Sequence, residues 1–147
     1  MPIKRAEVIL YDSEPWGDRE LARSYTDDNG FFFFGPINND DGFLQGGLDV
    51  HVTVYLRNDI VIIGRGITGD IFGLCYYAET PKRDNVPDGD VYYGYQYIST
   101  GPNPQWPYAF RIYNRIIEVS DWLYSQVGWR RPQVGVLSKR CKWQFVC

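Results

Sequence analysis

The chain has 147 residues, a net charge of −3, and a residue mix rich in tyrosine (12) and tryptophan (5) but holding one methionine. That length suits one domain burying roughly two thirds of its unfolded surface, and the aromatic bias favours a stiff β-rich domain over a helical bundle. The weak charge and scattered Lys and Arg exclude the basic stripe of a nucleic-acid binder, and no apolar run nears the ~20 residues of a membrane span.

The first strand is expected over 6–11, where Ala6, Val8 and Leu10 share the face to be buried and Glu7, Ile9 and Tyr11 the other. Asp12, Ser13, Pro15 and Gly17 are turn formers that break the pattern. Thr26-Asp27-Asp28-Asn29-Gly30 then supplies a tight turn, its short polar side chains bonding back to the backbone and Asn-Gly tolerating positive φ. Phe31–Phe34 resume as strand, with two of the four rings inward.

Asn38 to Gly47 is a loop rich in carboxylates, amides and glycine. Asp40 and Asp41 make it a weak Ca²⁺ candidate, but the ligand spacing of a calcium loop is missing and a solvated turn is favoured. Leu48–Leu56 alternates cleanly: Val50, Val52, Val54 and Leu56 point one way, Asp49, His51, Thr53 and Tyr55 the other. On that parity His51, the only histidine, reads as a surface residue. After a turn at Asn58-Asp59, Ile60–Ile63 is a short apolar strand, and Asp70–Thr80 reads as another.

Val91–Ser99 is strongly β-prone and sets Tyr93, Tyr95 and Tyr97 on one face. Such a stripe, with Trp106 nearby, suits recognition of protein or sugar; it serves equally as a ladder packed under a helix. Prolines keep 100–107 out of helix and central strand. Pro107 starts the one helix, 107–128, whose apolar face comprises Phe110, Tyr113, Ile116, Ile117, Trp122, Leu123 and Val127 and whose stop is Gly128. Over 132–147, Gln133–Leu137 and Trp143–Val146 read as terminal strands that must be paired within the subunit or with a neighbour.

The expected whole is a mainly β single domain, 1–147: an antiparallel β-sandwich over 1–100, a helix packed on the sheet, and a terminal strand pair. Of the three cysteines, Cys141 and Cys147 would lie about 20 Å apart on an extended strand, too far to bridge unless the tail folds back. Cys75 paired with either leaves an odd thiol for an intermolecular bond, and three reduced thiols are the alternative. There is no H-E-x-x-H, no G-x-S-x-G and no Gly-rich phosphate loop, and no spacing of carboxylates singles out an acid–base pair.

Val8, Leu10, Tyr11 and Asp12 near the end of one strand, then Thr26, Asp27, Gly30 and Phe32 opening the next, resemble the transthyretin-like and carboxypeptidase-regulatory-like β-sandwiches. The order of sandwich and then PYAFRIYNRIIEVSDWLYSQVGWRRPQVGVL is similar to the domain preceding the peptidase in some secreted bacterial metallopeptidases. That family implies a zinc site in the following domain, not here. The transthyretin-like hydrolases of 5-hydroxyisourate use several histidines and a terminal YRGS, whereas this chain ends KWQFVC, which excludes that activity. The expectation is therefore a non-enzymatic extracellular or cell-surface protein without cofactor, any signal peptide being absent or already removed. It would self-associate as a structural subunit through sheet edges, the tyrosine face and a free cysteine. The alternative is an accessory module binding a protein or carbohydrate through Tyr93, Tyr95, Tyr97 and Trp106.

Overall fold

The computed structural model describes residues 1–40, 46–65, 75–96, 106–129, 132–139 and 142–146. Its elements are β1 (Glu7–Glu14), β2 (Gly17–Tyr25), β3 (Val50–Tyr55), β4 (Val61–Arg65), β5 (Tyr77–Glu79), α1 (Trp106–Val127), β6 (Val134–Lys139) and β7 (Lys142–Val146). They form a mainly β fold: a four-stranded sheet in the order β2-β1-β3-β5 and a three-stranded sheet in the order β4-β6-β7.

The hairpin β1–β2 departs from the expected break at Asp12. Strand β1 runs on to Glu14 and turns over Pro15-Trp16 alone, with Gly17 at φ +131°. Asp12 stays in the strand because its carboxylate, 1% exposed, is satisfied there: Arg19 donates to it at 2.7 Å and the Asp49 N–H at 3.1 Å. Both faces of β1 are buried rather than one, since Glu7 and Ile9 are as inaccessible as Ala6, Val8 and Leu10. The strand is central, with β2 and β3 antiparallel on either side.

The inner face of this sheet covers two joined clusters. Val8, Leu10, Val50 and Val52 pack with Leu48 and Val86 and with Phe32, Phe34 and Ile37 of the loop segments. Ala6, Leu56, Val61, Ile63, Tyr76 and Val136 pack with Ala109, Phe110, Tyr113 and Ile117 of α1, and Val54 touches both groups. Phe31–Phe34 is not a strand, yet its alternation survives: Phe32 and Phe34 are inside while Phe31 and Phe33 are exposed.

The turn at Thr26–Gly30 forms as expected. The Asp27 carboxylate accepts from the N–H groups of Asn29 (2.8 Å) and Phe31 (2.9 Å). Gly30 has φ +82°, and a Cβ there would stand 2.9 Å from that of Pro2. The Thr26 hydroxyl donates to the Ile3 carbonyl (2.6 Å) and accepts from the Ala6 N–H (2.9 Å), so the turn pins the N-terminal segment across the strand.

Helix α1 ends where expected, the Gly128 N–H reaching the Tyr124 carbonyl at 2.9 Å with φ +66°. Its apolar residues, however, occupy more than the single face read from the sequence. Ala109, Phe110, Tyr113 and Ile117 are buried, whereas Trp122 and Val127 are exposed. At 100° per residue Trp122 lies opposite the Phe110–Tyr113–Ile117 face, and Val127 falls nearly three turns beyond Ile117, the last buried residue. Asn114, fully buried, accepts from the Lys4 N–H (3.1 Å) and donates to the Pro2 carbonyl, tying the start of the chain to the helix.

The antiparallel expectation holds for the four-stranded sheet and for β6–β7, and fails only for β4–β6. β4 and β6 are parallel, because α1 lies in the connection between them and a parallel pair requires such a crossover. The terminal segments do form a hairpin, β6–β7, so the apolar tail is paired within the chain. Residues 91–96 are not a strand, and of the strand expected over 70–80 the described part is β5 with an isolated bridge from Cys75 to Gly64. Residues 66–74 lie outside the described set.

Among the described residues, three carboxylates sit below their ordinary range for local reasons. Asp28 is held down by Arg5, Asp49 by the Asn85 N–H and Lys82, and Glu118 by Arg115. A depressed folded-state pKa stabilises above the ordinary carboxylate value, and that contribution is lost as the pH falls through the depressed value. The thermal midpoint should therefore hold from about pH 7 to about pH 5 and fall progressively below about pH 4. Asp49→Asn should flatten that fall, and a midpoint indifferent to acid would contradict these assignments.

Candidate functional site

The register of the four-stranded sheet builds the outer face row by row. Tyr25, Glu7, Tyr55 and Tyr77 are direct cross-strand neighbours, one from each strand. The next row holds Arg23, Ile9, Thr53 and Glu79, and the third Glu20, Tyr11 and His51. Side chains two apart on a strand share a face, so these residues lie on one side of the sheet, with Glu7, Ile9, Thr53 and His51 buried among their neighbours. Helix α1 packs on β4 and on Ala6, Leu56 and Ala78, which have the other parity, although Tyr55 also touches that cluster.

Charge on this face is organised around Glu7. Its carboxylate, 4% exposed, accepts from both Arg23 and Arg57, and the Arg57 guanidinium also lies 4.7 Å from the centroid of the Tyr55 ring. Tyr55 and Tyr77 are tilted neighbours at 5.8 Å, and the hydroxyls of Tyr55 and Tyr11 are 3.2 Å apart. Burial, with the Tyr11 hydroxyl second, raises the Tyr55 pKa above the ordinary phenol value, so the hydroxyl stays protonated. The result is a surface of partly exposed phenol rings held in fixed orientations by a buried ion cluster.

His51 is not the surface residue its parity suggested. It is 9% exposed, stacked on Tyr11 (5.5 Å, 22°), with Nδ1 3.0 Å from Ser13 Oγ and Nε2 3.8 Å from Asp18 Oδ2. The β1–β2 hairpin brings this hydroxyl, imidazole and carboxylate together, since Ser13 pairs with Asp18 and Tyr11 with His51. A nucleophilic triad needs the carboxylate to orient the ring by a hydrogen bond. At 3.8 Å, from a half-exposed Asp18, that bond is not made.

The tyrosine stripe expected at Tyr93, Tyr95 and Tyr97 does not assemble. Tyr93 packs inward, its hydroxyl donating to the Val50 carbonyl (3.3 Å) and its ring capped by Arg83 at 4.4 Å, while Tyr95 is 74% exposed. Without strand geometry, residues two apart need not share a face. Tyr97 lies outside the described residues, and Trp106 is the first residue of α1. Asp40 is exposed in its loop, and Asp41 is outside the described residues. Cys75 is buried in the helix-covered cluster, its thiol on the Tyr76 carbonyl (3.4 Å) and pushed up to about 11 by burial; Cys141 and Cys147 are outside the described residues. The residues that the structure does bring together were partly visible. The alternation in β3 had already placed His51 and Tyr55 on the outer side, but without the β1–β2 hairpin Ser13, Asp18 and Tyr25 had no partners.

Comparison of the chain with known protein families, with curated proteins and with solved structures found no match.

Proposed function

We propose that this chain is a non-catalytic recognition module, acting outside the cell or at its surface, that binds a protein or carbohydrate through the outer face of its four-stranded sheet. The observation that carries this reading is the cross-strand row Tyr25–Glu7–Tyr55–Tyr77, with Tyr11 and His51 beside it. Phenol rings give large contact area at low entropic cost, and pre-oriented rings lose less freedom on binding. The likeness of Val8–Asp12 and Thr26–Phe32 to transthyretin-like sandwiches agrees with an accessory role, and we carry that fold family as part of the proposal.

Self-association as a structural subunit is the second reading. It draws on β7, which stands at one end of the β4-β6-β7 order. Two features weigh against assembly through the other sheet. Strand β2 at its edge carries Asp18, Arg19, Glu20 and Arg23 and contains a bulge opposite Leu10/Tyr11, both of which discourage edge-to-edge pairing. The tail strand also finds its partner within the chain.

Screening the protein against immobilised oligosaccharides and purified cell-surface proteins tests the first reading. Tyr55→Ala and Tyr77→Ala should each weaken the best binder by about tenfold or more, the effect of losing an aromatic anchor. Tyr95→Ala should not. Equal binding by all three variants would remove the outer face from the account.

A further inference from the structure

We propose that α1 carries a second interaction surface, which pairs antiparallel with the same helix of a second copy of this chain. The helix is apolar on two sides. Apart from the buried side that meets the sheets, residues Tyr108, Ile112, Arg115, Val119, Trp122 and Gln126 are spaced 4, 3, 4, 3, 4, the spacing of a coiled-coil seam. Leu123 lies beside them. Tyr108 is 61% exposed, Val119 55% and Trp122 61%, so these three face outward, while Ile112 is half-buried against the helix-covered core. A helix with apolar residues on both sides is ordinarily buried on both.

The seam is self-complementary in one orientation. Its midpoint falls near Ile117, and a two-fold axis there layers Ile112 against the partner's Trp122, Arg115 against the partner's Val119, and Tyr108 against the partner's Gln126. The central charges then match. Arg115 already bonds Glu118 of its own helix at 2.6 Å, and antiparallel pairing sets it beside Glu118 of the partner subunit. Two arginines and two glutamates balance around the axis, and the Lys4 of each copy, 3.5 Å from its own Glu118, adds one positive charge apiece. Parallel pairing would instead stack Arg115 on the partner's Arg115. An isologous contact of this kind closes at two subunits and does not propagate. The exposed apolar area is modest, on the order of several hundred Å² per copy, at the low end for specific association. The dimer should therefore be reversible, with a dissociation constant in roughly the micromolar range.

Sedimentation velocity across a concentration series tests this on the whole chain. The wild type should shift from monomer to dimer mass and no further. Trp122→Ala should weaken the dimer by about tenfold or more. Arg115→Glu, which sets four acids around the axis, should do the same, and the exchange Arg115→Glu with Glu118→Arg should restore association. All three positions are at least partly exposed, and unchanged circular dichroism would show that the fold is kept. Monomer mass throughout the series, or dimers equally strong in every variant, would overturn the proposal.

Discussion

Replacing Tyr113 by alanine should lower the stability of the protein by about 3–5 kcal/mol, the usual cost of removing a large aromatic side chain from a packed core. Tyr113 is fully buried between α1 and the sheets, and its hydroxyl donates to the Arg5 carbonyl at 2.9 Å. Arg5 itself has φ +50°, and its guanidinium bonds Asp28 and Asp121 at 2.8 Å each, so one tyrosine supports the junction of N-terminal segment, Asp27 turn and helix. For a chain of this length the loss corresponds to a fall of roughly 10–15 °C in the thermal midpoint. Tyr113→Phe keeps the ring and removes one of the two donors to the Arg5 carbonyl, which retains the Asn58 side-chain amide at 3.0 Å, and should cost about 0.5–1.5 kcal/mol. Thermal and urea melts of the two variants measure both. Equal effects would mean that the hydrogen bond, not the ring, holds this junction.

Removing the Glu7 carboxylate should be nearly as damaging, for an electrostatic reason. Glu7→Ala leaves Arg23 and Arg57 facing each other across a site that is 4% exposed, without the anion that unites them. Breaking a buried ion pair from one side costs about 3–5 kcal/mol when the orphaned charge stays buried. Here the two guanidinium groups reach solvent, at 43% and 35% side-chain exposure, which places the expected loss at the lower end, about 2–3 kcal/mol. Glu7→Gln keeps the shape and should cost less. Because Arg57 also holds the Tyr55 ring, Glu7→Ala should loosen the outer face as well, visible as faster amide exchange at Tyr55 and Tyr77. A Glu7→Ala variant as stable as wild type would show that the cluster is incidental to the fold.

Local patterns legible in the sequence were those with a strong periodicity or a specific turn chemistry. The β3 alternation, the Asp27–Gly30 turn, the helix with its Gly128 stop and the final hairpin all follow from such signals. The missed features depend on pairing between distant segments. Asp12 and Ser13 look like turn residues until Arg19, Asp49 and His51 are seen to satisfy them inside the sheet. Val91–Ser99 has the composition of a strand, but Tyr93 gains more by packing under Arg83 and onto the Val50 carbonyl than by joining a ladder. The parallel β4–β6 pair follows from where α1 crosses, which no local pattern encodes. For the candidate site the consequence was a displaced face: tyrosines were expected at 93–97, whereas the register aligns tyrosines from β1, β2, β3 and β5. Only Glu7, Tyr11, His51 and Tyr55 carried a readable hint, through their parity.

The most direct test is an amide-resolved NMR footprint of the protein titrated with the tightest binder found among the oligosaccharides and surface proteins screened. The account predicts shifts concentrated at Tyr11, Tyr25, His51, Tyr55 and Tyr77, on all four strands of one sheet face. A footprint confined to α1 or to the β6–β7 hairpin would contradict it.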